Sequence, residues 1–435
     1  MTDTPTTDPA QVSFSQATRV FGRIGCLSFG GPAGQIALMH RELVEQRPWL
    51  TEAEYLRALN FCMLLPGPEA MQLATYAGWR LHGVRGGLMA GLLFVLPGAA
   101  VVLAISILYS LLGRLPVVEA LFFGVKAAVL AIVLEALMRV SKRALKLPWH
   151  WMIAVAAFLA LFVFHIPFPA VIAVAGLIGY AMTRSDPGSA APTPSTPVAL
   201  SQTARTIAIW LVIWFAPVAA IALLFYPDHL LVNVGLFFSK LAVVTFGGAY
   251  AVLAYMGQQA VENHGWLTAP QMVDGLGLAE TTPGPLILVT EFVGYMAGFR
   301  ASGLQGSVMG GIAAALVALW VTFAPCFLWI FAGAPYIERL AHMPRLSGAL
   351  SAITAGVVGV IANLALWFGL HVLFSGLSKI ETGPISMTWP QWATVDLAAV
   401  GLFILSALML LRFHAGLAKT LLTCALLGAG IKLLT

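Results

Sequence analysis

Arg23 and Lys240 are the residues whose chemistry is hardest to read as packing. Each lies inside an apolar stretch, about two helical turns ahead of a Phe-Gly-Gly. A cation at the centre of a bilayer costs on the order of 3 kcal/mol, so such residues face a protein interior and find a partner. Two matched cations would suit a doubly charged anion. Snorkelling to an interface and pairing with a carboxylate are the alternative readings.

Further candidates flank two kinds of backbone break. Ser28-Phe29-Gly30-Gly31 and Thr245-Phe246-Gly247-Gly248 place a hydroxyl and paired glycines in otherwise apolar runs. Glycine weakens a helix by about 1 kcal/mol relative to alanine and permits positive φ. Pro66-Gly67-Pro68 and Pro283-Gly284-Pro285 form the second kind. Proline removes a backbone donor and disfavours helix in the residue before it, so these triplets break a helix and allow a new one to start. Glu69 follows the first triplet, Glu280 precedes the second, and Glu291 lies two turns beyond it. These acids could exchange protons, balance the cations or form structural ion pairs. Asn60, Gln72, Thr281 and Thr282 add hydrogen-bonding capacity beside the breaks. Lys126 and Glu135 share one apolar segment, but nine residues of helix put them off a common face, so neither partners the other.

The candidates are arranged in duplicate. An offset of 217 positions aligns Phe21 to Pro68 with Phe238 to Pro285 without a gap, and 15 of these 48 pairs are identical. Phe-Gly-Gly, Trp-Leu-Thr and Pro-Gly-Pro fall in register, Arg23 meets Lys240 and Ser28 meets Thr245. Thr51-x-x-Glu54 reads as a capping box, and Thr268-x-x-Gln271 repeats it. A duplicated unit with matching breaks places the chemistry between the copies.

The elements that must carry these residues are membrane helices. The chain is 60% hydrophobic and 9% charged, well beyond what a soluble core can absorb. Stretches near the required length of about 20 residues occur around 12–30, 58–79, 86–112, 117–138, 149–165 and 167–183. They recur around 230–247, 275–298, 303–333, 347–374, 393–411 and 416–434, with an additional segment near 206–226. The expected fold is an all-α polytopic membrane protein of two homologous, inverted-topology repeats, with broken or re-entrant helices and about 10–13 transmembrane segments. Its expected parts are a disordered tail (1–11), a first repeat (12–183), a Pro/Ser/Thr/Ala-rich flexible linker (184–205), an extra transmembrane helix (206–228) and a second repeat (229–435).

Inversion rests on charge. Arg139, Lys142, Arg143 and Lys146 form the densest basic cluster, expected on the cytoplasmic side. The equivalent loop of the second copy, 375–392, has only Lys379. Conversely, loop 334–346 carries Arg339 and Arg345 where the first copy has only Arg114. Seven candidate segments separate the starts of the two copies, and an odd number inverts the second. Re-entrant hairpins at the breaks would change the total.

Several classes are excluded. The net charge of +5 is scattered over short loops, which argues against a nucleic-acid partner. Cys26, Cys62, Cys326 and Cys424 show no metal or redox spacing and read as apolar filler. No P-loop, HExxH or GxSxG is present, so neither ATP-driven transport nor an intramembrane enzyme is indicated, and no cofactor or metal is expected.

The run Phe29-Gly30-Gly31-Pro32 with Gly34 and Gln35, then Trp49-Leu50-Thr51, then Leu65-Pro66-Gly67-Pro68, closely resembles the CHR family of chromate transporters, in its long two-domain form. The resemblance implies efflux of chromate across the bacterial inner membrane and chromate resistance, with the tetrahedral dianion sulfate as competitor. By resemblance, residues 29–31, 66–68, 246–248 and 283–285 inherit the candidate-site role. Ala249 stands where the first copy has Pro32, so the half-sites are not chemically equal. A carrier for sulfate, molybdate or another small anion, and a passive anion channel, remain the alternatives. The expected partners are the oxyanion and the lipid bilayer, and a homodimer is left open.

Overall fold

In the computed structural model, residues 12–29, 31–113, 115–183, 200–246, 249–301, 306–337, 343–382 and 385–434 are described. The chain is an all-α polytopic membrane protein. Among the described residues, six helices are long and apolar enough to cross a bilayer: Glu69–Leu112, Pro116–Ala144, Leu200–Leu224, Val308–Tyr336, Pro344–Leu373 and Leu417–Leu434. Four shorter apolar helices accompany them. The expected tail and residues 184–199 of the expected linker lie outside the described residues. Residues 200–205 begin the additional helix, which runs Leu200–Leu224. One loop differs from the all-helical expectation: Leu377–Thr382 and Ile385–Pro390 pair as an antiparallel hairpin.

Two compact units make up the chain. The first comprises Met1–Ser106, Ser185–Ala249 and Thr282–Pro344. Here the breaks act as chain reversals. Helix Phe14–Leu27 ends at Ser28, and Gly31–His40 restarts beyond it. Arg23 then meets Glu42 at 3.8 Å and Phe21 packs on Trp49 with ring centroids 6.5 Å apart. Residues before the break therefore lie beside residues well after it, which requires the two helices to run antiparallel. Helix Glu52–Leu64 and the 69–81 helix repeat the device around Pro66-Gly67-Pro68, with Arg80 returning to Glu54 at 3.5 Å. At 13 residues, Glu52–Leu64 extends only about 20 Å, short of the roughly 30 Å hydrocarbon core. The chain thus folds back at a break within each of the 12–30 and 58–79 segments, and neither is a single helix long enough to cross.

Local sequence explains these turns. Thr51 and Glu54 form the expected capping box, with Glu54 N–H donating to Thr51 Oγ1 at 3.1 Å and Thr51 N–H to Glu54 Oε2 at 3.0 Å. Thr268 and Gln271 repeat it at 2.9 and 3.4 Å. The Glu69–Leu112 element is itself two helices, because His82 and Gly83 leave helical geometry. The 69–81 and 84–112 pieces then pack antiparallel, with Gly78 against the Gly86 carbonyl. Gly298 against the Gly310 carbonyl joins Val289–Arg300 to Val308–Gly333 in the same manner. Small residues let backbones approach closely, which is how helices gain contact where no hydrophobic drive exists between them.

The second unit comprises Ile107–Arg184, Tyr250–Thr281 and Arg345–Thr435. Its centre is helix Pro116–Ala144, which receives Leu417–Leu434 where Gly124 meets the Cys424 carbonyl. Helix Ala269–Thr281 packs on it through Gly277, whose Cβ position lies 2.6 Å from Val125 Cγ1.

Candidate functional site

Within the first unit the hairpin tips of both copies meet. Ser28 ends its helix with φ −77° and ψ 69°, and Thr245 with φ −78° and ψ 85°. Each hydroxyl donates to the carbonyl four residues back, Ile24 O and Leu241 O, at 2.6 Å in both cases. In each, the next residue turns tightly: Phe29 N–H reaches Leu27 O at 2.9 Å and Phe246 N–H reaches Val244 O at 3.1 Å. The hydroxyls are therefore committed to their own helix ends. What each residue offers its neighbour is its carbonyl.

Those carbonyls are taken crosswise. Gly284 N–H donates to Ser28 O and Gly67 N–H to Thr245 O, both at 2.8 Å. Donor and acceptor pairs exchange under the 217-residue offset, so the contact is pseudo-two-fold. Both central glycines hold positive φ, 114° at Gly67 and 91° at Gly284, a conformation that side-chain-bearing residues adopt only with strain. A Cβ at Gly67 would lie 3.0 Å from Cys326 Sγ and from Gln72 Nε2. One at Gly284 would lie 2.9 Å from Leu288 Cδ1.

Two amides finish the tips, both from the first copy. Gln35 is buried and donates to Gly284 O at 2.6 Å and Ser28 O at 3.4 Å. Gln72, also buried, donates to Pro66 O at 2.7 Å. Their oxygens have no hydrogen-bond partner. The carbonyls of Ser28, Pro66, Thr245 and Gly284, which would repel an anion, are thus each occupied by a donor. Helices begin from these tips at Gly31, at Glu69 and, through the tight turn Leu286–Leu288, at Val289. The first N–H groups of a helix lack intrahelical partners and carry its positive dipole end. At Gly31 and Glu69 the arrangement therefore occupies carbonyls and presents N–H groups, which suits an anion, whereas Val289 N–H donates to Leu286 O and Ile287 O.

The remaining candidates fall around this centre. Phe29 is 50% exposed and Phe246 half-buried. Pro66, Gly67, Pro68, Gly284 and Pro285 are buried, and Pro283 is half-buried. Glu69 is half-buried at the first position of its helix. Gly31 opens its helix at φ 73°, while Gly30, Gly247 and Gly248 lie outside the described residues. Arg23 and Lys240 are exposed side chains five residues before Ser28 and Thr245. Arg23 has the carboxylate partner that its position demanded. Glu42 is 1% exposed and also takes Arg47 at 2.5 Å, so two cations share one anion and the cluster keeps a net positive charge.

Sequence reasoning missed several participants. Gln35 carried one signal, an amide six residues after a break in an apolar run. Thr290, Thr322 and Cys326 gave none. They form a buried polar seam beside Gly67, with Thr322 Oγ1 3.4 Å from Thr290 Oγ1 and Cys326 Sγ 3.6 Å from Thr322 O. Glu291 is buried with one oxygen lacking a hydrogen-bond partner. In the second unit Glu280 accepts from Tyr250 Oη at 2.6 Å, and Glu135 pairs with Arg139 on its own helix.

Comparison with known proteins adds an independent line. A family model described as chromate transporter matches residues 15–180 and 232–429. A probable chromate transport protein of Synechococcus elongatus is 30% identical over 89% of this chain and 94% of its own length. A chromate transport protein of Pseudomonas aeruginosa is 32% identical over 81% of this chain and 80% of its own. An uncharacterized transporter of Methanocaldococcus jannaschii is 26% identical over 82% and 84%. No solved structure matches.

Proposed function

The chain belongs to the chromate transporter family, and on that premise we propose that it is a secondary transporter exporting chromate across the cell's inner membrane, with chromate resistance as the consequence. The reading rests on one observation above others, the reciprocal pair of bonds from Gly67 to Thr245 and from Gly284 to Ser28. These bonds hold tips from both copies together while their carbonyls are occupied and their helix N-termini remain available to a tetrahedral oxyanion.

Chromate sits against the tips, where first-turn N–H groups replace part of its hydration. The unpartnered oxygens of Gln35 and Gln72 accept hydrogens from water or from a singly protonated anion. Arg23, held by Glu42, and Lys240 draw the anion toward the breaks from either copy. One copy then rocks against the other and exposes the site on the opposite side. An inside-negative potential favours outward movement of a dianion by roughly 4–5 kcal/mol per 100 mV, at about 2.3 kcal/mol per charge. Sulfate, with the same shape and charge, competes.

Everted membrane vesicles containing the protein should take up labelled chromate faster when a potential positive inside the vesicle is imposed, and excess sulfate should suppress that uptake. Uptake equal to protein-free vesicles under both conditions would refute this reading.

A further inference from the structure

Lys126 is a cation in the middle of an apolar helix for which the sequence offers no partner. The structure supplies one from 148 positions away. Lys126 Nζ lies 3.5 Å from Asp274 Oδ1, and Tyr109 Oη donates to Asp274 Oδ2 at 2.7 Å. Asp274 is buried, and Oδ1 has no hydrogen-bond partner. Lys126 and Glu119 are the charged groups that face it from helix Pro116–Ala144, and Tyr109 is the titratable group from the 84–112 helix. All belong to the second unit.

An intramembrane ion pair costs desolvation on both partners and rarely adds net stability, so its retention calls for another role. Its position suggests that role. Asp274 lies on helix Ala269–Thr281, which leads directly to the tip residues Thr282 to Pro285. One turn on, Gly277 presses against Val125 and Val129, so the ion pair sits beside a close-packed point between that helix and Pro116–Ala144. The offset of 217 puts Arg57, Met343 and Cys326 at the positions matching Asp274, Lys126 and Tyr109. An acid, a cation and a phenol therefore do not recur together at those positions.

We propose that Asp274, clasped by Lys126 and Tyr109, is a proton-binding site that couples proton movement to anion transport. The site rests on the anion reading above. In the step itself, Asp274 Oδ1 takes one proton from water and becomes a neutral acid, while Lys126 keeps its own proton. The ion pair is lost, Tyr109 keeps its bond to Oδ2, and the helix is held to its neighbour by apolar packing, the Gly277 contact included. Release of the proton restores the pair.

The test uses the full chain in proteoliposomes loaded with chromate, the membrane potential clamped at zero by potassium and valinomycin. Chromate exchange at equal pH on both sides is measured first, then net flux under pH gradients of both polarities. Wild-type net flux should change several-fold when the gradient is reversed. Asp274→Asn strands Lys126, so the decisive protein is Asp274→Asn combined with Lys126→Met. That double variant should exchange chromate near the wild-type rate and show the same net flux under either gradient. If it responds to the gradient as the wild type does, the trio is only an ion pair and the proposal is wrong. Wild-type net flux indifferent to gradient polarity would overturn it equally. No chromate exchange in the wild type would instead refute the anion reading, and the coupling with it.

Discussion

The two copies build the same backbone and fill it with different side chains. Ser28 and Thr245 cap their helices identically, and Gly67 and Gly284 donate to them at the same 2.8 Å. Around that frame, Gln35 and Gln72 of the first copy correspond to Val252 and Val289 of the second. Conversely, Glu280, Tyr250 and Glu291 of the second correspond to Met63, Ala33 and Ala74. The first copy supplies neutral amides that bond carbonyls at the tips. The second supplies buried acids, which an anion would avoid while they are ionised. Duplication has kept the backbone geometry and divided the side chains, with tip-bonding amides in one copy and buried acids in the other.

That comparison can be broken first at its shared frame. Gly67→Ala should abolish chromate flux in vesicles, because alanine at positive φ costs roughly 1–2 kcal/mol and its Cβ meets Cys326 and Gln72. Gly284→Ala should lose less, since the atom it meets is the mobile end of Leu288. Equal, mild effects would mean that the tips are only packing points.

The division of chemistry is tested next. Gln35→Leu leaves Gly284 O without its side-chain donor, and an unsatisfied buried carbonyl costs about 1–3 kcal/mol. Transport should fall by about tenfold or more, each 1.4 kcal/mol being a factor of ten. Val252→Leu at the matching position should leave flux near normal, and a comparable loss there would erase the asymmetry.

Smaller effects follow further out. Arg23→Ala should reduce flux only a few-fold, more at low ionic strength, because Glu42 keeps Arg47 and a half-exposed pair is worth about 1 kcal/mol or less. Thr51→Ala should lower thermal stability in detergent by about 1 kcal/mol, and Thr268→Ala by less, in line with the longer 3.4 Å bond at its cap.

Much of this frame was legible because it is local. Glycine and proline pairs, capping boxes and apolar runs act within a few residues, and the helices formed where those signals stood. Whether a broken apolar run crosses the bilayer or turns back is not local. Segments 12–30 and 58–79 have the composition of spans, and only the distant returns of Glu42 to Arg23 and Arg80 to Glu54 make them hairpins. Glu42 sits in a stretch that reads as a polar connector, yet it is buried beneath two arginines. Gln35 finds Gly284 across 249 positions, and Asp274 finds Lys126 on a different element. No periodicity encodes such pairings.

The most direct test of a single anion site shared by both copies uses their matched aromatic positions. Cys26 is the one exposed cysteine, so Phe29→Cys and Phe246→Cys are each made in a Cys26→Ser background and labelled with a thiol reagent. Sulfate, a redox-inert stand-in for chromate, should slow labelling at both positions with the same concentration dependence. Protection at one position only, or at neither, would contradict a site built jointly from the two sets of tips.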